Sequence, residues 1–153
     1  MSDFASGLNA VRGGWNEAMG LTFVRASADE VVARLEIGAA HRQPYGIVHG
    51  GVYSGIIETV ASTGAALHAA KEEQSVVGLE NHTSFLRAVR DGVLEVVAKP
   101  LSRGRRSQVW EATVTDSEGR AVASGRVRLM SLEKGASLAG GTLEVRLDES
   151  DEP

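Results

Sequence analysis

The spacing of apolar residues changes period along the chain, and each change marks an element. From Glu30 to Ile37, Val31, Ala33, Leu35 and Ile37 alternate with Val32, Arg34 and Glu36, as a half-buried strand requires. A shorter run, Leu21 to Arg25, precedes it. Upstream, Leu8 to Met19 carries Leu8, Val11, Trp15 and Met19 on one helical face, although Gly13-Gly14 weakens that helix. Residues 1–7 read as a frayed start. Pro44 biases the connection from His41 to Val48 away from helix. Alternation then disappears: Val52 to Ala70, VYSGIIETVASTGAALHAA, is apolar or small at nearly every position and ends near Lys71-Glu72-Glu73-Gln74. A helix that is hydrophobic all round is buried, wrapped by something else.

Downstream the period returns to two. Strands are expected over Ser75 to Leu86, Val93 to Lys99, Gln108 to Thr115 and Ala121 to Met130, with turn signals at Asp91-Gly92 and Asp116-Ser-Glu-Gly119. Consecutive strands joined by short turns should be antiparallel. One long buried helix after the second of about five strands suggests a sheet curled around it, an α+β arrangement. Residues 1–132 form a single domain on this reading. Residues 133–153, with Gly140-Gly141 and the acidic Asp148 to Glu152, read as a loose tail with room for a short strand at Thr142 to Leu147.

The buried helix carries one charge in its middle, Glu58. Its helical neighbours Ser54, Gly55, Ala61 and Ser62 offer no cation, and an unpaired buried carboxylate is expensive. Two readings follow: a structural ion pair with a distant arginine, or chemistry. What precedes the helix favours the second. Gly50-Gly51 has no side chains to cover the first free N–H groups, where the helix dipole is positive, and such a start can polarise a carbonyl oxygen.

Composition narrows the classes. The 153 residues, 42% apolar and 24% charged, suit one globular domain. The absence of cysteine excludes disulfides, zinc–thiolate sites and cysteine nucleophiles. No apolar run reaches the ~18 residues of a membrane span, and no signal pattern opens the chain, so a cytoplasmic location is expected. A net charge of −4 argues against nucleic acid as a partner.

The stretch HRQPYGIVHGGVYSGIIETVAS, followed in order by VVGLENHTSFLRAV and LSRGRRSQVWEATVTDSEGRAVASGRVRL, resembles the hotdog-fold acyl-CoA thioesterases of the PaaI-type and 4-hydroxybenzoyl-CoA thioesterase group. The resemblance covers about residues 18–132. It implies a curved antiparallel sheet wrapped around one central helix, and hydrolysis of an acyl-CoA, with an aryl or arylacetyl acyl group. It also implies Glu58 as nucleophile or general base, and the Gly50 N–H as the group polarising the thioester carbonyl. Gln43 and His49 match polar positions beside that carbonyl, and Ser62 a polar position one turn after the acid, where many relatives have Thr. Ser84 and Arg87 in NHTSFLR, with Arg105, Arg106 and Ser107 in RGRRSQ, match positions near the CoA nucleotide. Relatives are homo-oligomers, dimers or dimer-of-dimers tetramers, with sites shared between protomers. No cofactor is implied.

The residues themselves leave rivals. Arg87, Arg90, Lys99, Arg103, Arg105 and Arg106 form a basic cluster in sequence, either a solvated rim or a dock for CoA phosphates; interleaved aromatics for nucleic acid are lacking. His49 precedes Glu58 by nine residues, about 13 Å along a helix axis, too far for an intrahelical dyad. His41, His68 and His82 have no metal-ligand spacing, and no G-x-S-x-G elbow supports a serine hydrolase. Besides hydrolysis, a hotdog-type dehydratase or hydratase and a non-catalytic acyl-CoA-binding module remain as alternatives.

Overall fold

The computed structural model describes residues 2–143. Helix α3 (Gly50–Ala69) lies against a six-stranded antiparallel sheet of β1 (Thr22–Ala26), β2 (Val31–Glu36), β3 (Ser75–Phe85), β4 (Val93–Arg103), β5 (Ser107–Thr115) and β6 (Ala121–Leu132). The expected α+β arrangement is present. The strand order, however, is β1-β2-β4-β5-β6-β3. β3 does not form a hairpin with β4, as the Asp91-Gly92 signal suggests; it crosses the sheet to pair with β6 and becomes an edge. Asp116 to Gly119 does make the β5–β6 hairpin turn, with Gly119 at φ 75°.

Period-two burial is clear in the central strands. In β5, Gln108, Trp110, Ala112 and Val114 point inward, and in β4, Leu94, Val96 and Ala98 do so. α3 buries Val52, Ile56, Ile57, Val60, Ala61 and Ala65 against them. Gly64 permits a close approach, because a Cβ there would overlap the fully buried Trp110 ring. Trp110 cannot retreat easily: its Nε1–H donates to Gln108 Oε1 at 3.0 Å, and Gln108 Nε2 donates to the Ala65 carbonyl at 3.1 Å. The helix is nevertheless not wrapped all round. Ser54, Glu58 and Ser62, spaced by four, form a half-buried polar stripe beneath β3, since the sheet covers only the apolar arc.

The chain start differs from expectation. The Gly13-Gly14 break divides the expected helix into α1 (Ala5–Ala10) and α2 (Gly14–Ala18). Residues 2–7 are tied down, because Asp3 Oδ1 accepts the N–H groups of Ala5 and Ala26 at 3.0 and 2.9 Å. Ala5 is buried in the core. At the other end, the expected loose tail contains a small hairpin, β7 (Ser137–Leu138) with β8 (Gly141–Thr142), turning through Ala139 and Gly140 at positive φ. The rest of the expected Thr142 to Leu147 strand, and the acidic run after it, lie outside the described residues. No helix among the described residues is long and apolar enough to cross a membrane.

Candidate active site

His49 is the N-cap of α3, its Nδ1 accepting the Gly51 N–H at 2.8 Å. That bond satisfies one of the free donors of the helix start. The Gly50 N–H, one residue earlier, has no protein acceptor among the described residues and lies at the positive end of a 20-residue helix. The approach to this turn is fixed by His41, whose Nδ1 accepts the Gly38 N–H at 2.7 Å while Nε2–H donates to the Met19 carbonyl at 2.9 Å. The His41 carbonyl then takes the His49 N–H at 2.8 Å. Gln43 sits in the same loop, which is closed by the Arg42–Val48 bridge, and its Oε1 accepts the Tyr45 N–H at 2.8 Å. Its amide NH2 is therefore the part left for a ligand.

Two turns into the helix, Glu58 is half-buried. No cation pairs with it among the described residues, so the ion-pair reading fails. Neutral donors hold it instead: Ser62 Oγ–H at 3.3 Å from Oε1 and Asn81 Nδ2–H at 2.9 Å from Oε2. β3 makes room with Gly78, where a Cβ would lie 2.5 Å from Oε1. A bulge follows between Gly78 and Glu80, the kind of irregularity that re-aims side chains beside sites.

Phe85, at the other end of β3, covers the helix start. A Cβ at Gly50 would lie 2.7 Å from its ring, so only glycine lets the two approach. Its centroid is 6.1 Å from that of Tyr53. The Tyr53 hydroxyl is buried without a partner among the described residues, and burial, helped by the Asp116 charge, pushes its pKa above the usual phenol value.

Of the residues singled out in the sequence, Gln43, His49 and Gly50 gather at the helix start, and Glu58 with Ser62 beneath β3. The basic cluster separates. Ser84 and Arg87 lie at the Phe85 end of β3, whereas Arg105, Arg106 and Ser107 lie at the β4–β5 turn. Ser84 pairs with Ser124 and Ser107 with Met130, six positions apart on β6, or about 20 Å. Arg90 donates to the Tyr45 carbonyl, Lys99 pairs with Glu30, and Arg103 pairs with Asp29. Arg87, Arg105 and Arg106 have no ion-pair partner among the described residues.

Asn81, Thr83, Phe85 and Gly78 are absent from the sequence-based set of site residues. A signal existed: in the NHTSF run, period two places Asn81, Thr83 and Phe85 on one face, and that face meets the helix.

Comparison with known proteins agrees with this geometry. Residues 45–123, spanning the loop, helix, β3 and most of the following sheet, match the model of the Thioesterase superfamily. A Mycobacterium tuberculosis protein named as an esterase is 42% identical over 121 residues, covering 78% of this chain and 86% of that protein. Its solved structure superposes with a TM-score of 0.77 over 78% of this chain and 96% of that one. The proofreading thioesterase EntH of Cronobacter sakazakii is 35% identical over 72% of this chain and 80% of its own length. The 1,4-dihydroxy-2-naphthoyl-CoA hydrolase of Escherichia coli is 34% identical over 70% and 78%. With a carboxylate on the central helix, an open N–H at its start and these relatives, the chain belongs to the thioesterase superfamily.

Proposed function

We propose that this chain hydrolyses acyl-CoA thioesters carrying aryl or arylacetyl groups, at sites each built from two copies of the chain. The observation that carries the reading is the cation-free Glu58 carboxylate, held by Ser62 and Asn81, on the same helix as the open Gly50 N–H. Two of the relatives act on thioesters by name, one of them on an aromatic acyl-CoA. In the reaction the thioester oxygen, polarised by the Gly50 N–H, takes up the charge as the carbonyl carbon becomes tetrahedral. Either the Glu58 carboxylate attacks that carbon, or it takes a proton from a water that attacks. The C–S bond then breaks and CoA leaves as its thiolate, which takes a proton from Glu58 in the general-base route and from solvent water in the nucleophilic one. In the first route, water afterwards cleaves the acyl–Glu58 anhydride.

Two copies are needed because of a distance. Gly50 and Glu58 are eight residues apart, about 12 Å along the helix axis, so one thioester cannot touch both on one chain. The free edge of β3, with Leu79 and Phe85 about half exposed, suits antiparallel pairing with a second β3. Such pairing sets the Phe85 end of one strand beside the Gly78 end of the other, and carries the second copy's Gly50 toward the first copy's Glu58. It also brings the second copy's Arg105–Arg106 turn to the end of the sheet that holds Arg87 and Ser84, a dock for CoA phosphates. Gln43 and His49 flank the carbonyl.

Thiol release from a panel of acyl-CoAs tests the reading and separates hydrolysis from dehydration or binding alone. Glu58→Gln is expected to lower turnover at least ~100-fold. Mixing Glu58→Gln chains with Gly50→Ala chains should restore activity, because each hybrid dimer holds one site with both groups intact. A fully active Glu58→Gln variant overturns the catalytic assignment, and a fully active monomer overturns the shared site.

A further inference from the structure

We propose that Asn81 is a positioning residue that sets the orientation of the Glu58 carboxylate, and that Thr83 holds Asn81 in the orientation this requires. The proposal rests on the reading of Glu58 as the reacting acid.

The Asn81 amide spans one turn of α3. Its Nδ2 donates to the Ser54 carbonyl at 3.0 Å and to Glu58 Oε2 at 2.9 Å. Ser54 is four residues before Glu58, so the same carbonyl is the helical acceptor for the Glu58 backbone N–H. One side chain on the edge strand thus grips both the root and the tip of the acid. An asparagine amide can be reversed, because its oxygen and nitrogen are alike in shape. Here only one orientation works: both helix partners are acceptors, and on the other side the Thr83 hydroxyl donates to Asn81 Oδ1 at 2.7 Å. Thr83 in turn needs Gly125, its direct neighbour on β6, since a Cβ there would lie 2.7 Å from the hydroxyl oxygen. The resulting chain, Thr83 to Asn81 to Glu58, fixes Oε2. Ser62 at 3.3 Å fixes Oε1 less firmly.

A merely structural Asn81 would clamp β3 to the helix, and its removal would change stability without selecting a kinetic constant. A positioning role predicts a split. Misplacing a reacting group by about 1 Å can lower turnover ~100-fold, while substrate binding by the rest of the site persists.

The experiment compares steady-state thiol release and crystal structures for wild type, Asn81→Ala, Thr83→Val and Thr83→Ser, with Glu58→Gln alongside. Asn81→Ala is expected to lower kcat about 10- to 100-fold and to leave KM within about twofold. Thr83→Val keeps the shape without the donor and should lower kcat about three- to tenfold; Thr83→Ser should recover most of that. In the crystal structures, the Asn81→Ala carboxylate should be rotated or split between orientations. A kcat for Asn81→Ala within about twofold of wild type, with Glu58→Gln inactive, overturns the positioning role and leaves the function standing. Should Glu58→Gln still release thiol, the functional reading has failed instead, and the crystallographic comparison decides this proposal. An unmoved Glu58 carboxylate then overturns it. Where Asn81→Ala does not fold, the near-isosteric Thr83→Val carries the same comparisons.

Discussion

A methyl group at Gly78 would lie 2.5 Å from Glu58 Oε1, and its consequences can be worked out. A carbon and a carboxylate oxygen approach no closer than about 3.3 Å, so the shortfall is roughly 0.8 Å. Gly78 has no left-handed φ, so alanine can adopt its backbone and the strand need not move. The group that yields is the tip of a flexible side chain, since the Glu58 Cδ lies an ordinary 3.6 Å away. Rotating the carboxylate weakens the Ser62 contact, a loss of about 1 kcal/mol. Replacing glycine within a strand returns roughly 0.5–1 kcal/mol. Gly78→Ala should therefore fold with a stability within about 1 kcal/mol of wild type, yet turn over roughly 100-fold more slowly, because the carboxylate is displaced by nearly 1 Å. Urea denaturation beside thiol release from an acyl-CoA measures both quantities. A wild-type kcat would refute the placement of Glu58 beneath β3. A stability loss of about 3 kcal/mol or more would show that backbone, not side chain, absorbs the clash.

Two further outcomes concern the frame around the site. Gly64→Ala forces a methyl into the Trp110 ring; overpacking of about 1–3 kcal/mol against a helix-propensity gain of about 1 leaves a net loss of about 0–2 kcal/mol, measurable by urea denaturation. Asp116 is held below the usual carboxylate range, chiefly by its hydrogen bond from Arg120, with further backbone N–H donors from Arg120 and Glu118. A folded pKa below the unfolded one gives stability that is present above the unfolded value, ~3.9, and fades as pH falls through the folded value. Asp116→Asn should thus melt lower than wild type near neutrality, with the gap closing in acid; a gap independent of pH would contradict this.

Much of the architecture can be read along the chain because it is written in periods. Val31, Ala33 and Leu35 mark a strand by alternation, and the long run of apolar and small residues after Gly51 marks the central helix. Glu58 stands out because it interrupts that run. What escapes is set by neighbours distant in sequence. β3 reads as the first arm of a hairpin with β4, but nothing local states that it pairs with β6 instead. For the same reason, Arg87 and Arg105 look clustered in sequence although strand pairing sends them to opposite ends of the sheet. Asp3 looks like part of a frayed start until its carboxylate meets the Ala26 N–H. Asn81 looks like an ordinary polar residue on a strand until the helix stripe of Ser54, Glu58 and Ser62 lies beneath it.

That stripe also bears on why no arginine among the described residues serves Glu58. A guanidinium would engage both carboxylate oxygens in a bidentate pair, and a fully buried pair of that kind would be expensive to form and more so to break. The amide of Asn81 and the hydroxyl of Ser62 supply one hydrogen each, to different oxygens. A carboxylate offers about four lone-pair sites, so two neutral donors leave each oxygen one site free for a water or for attack. Half-burial beneath an edge strand completes the arrangement: the acid is sheltered in part by its own chain and in part exposed, which leaves room for the carbonyl that the proposed two-copy site would bring to it.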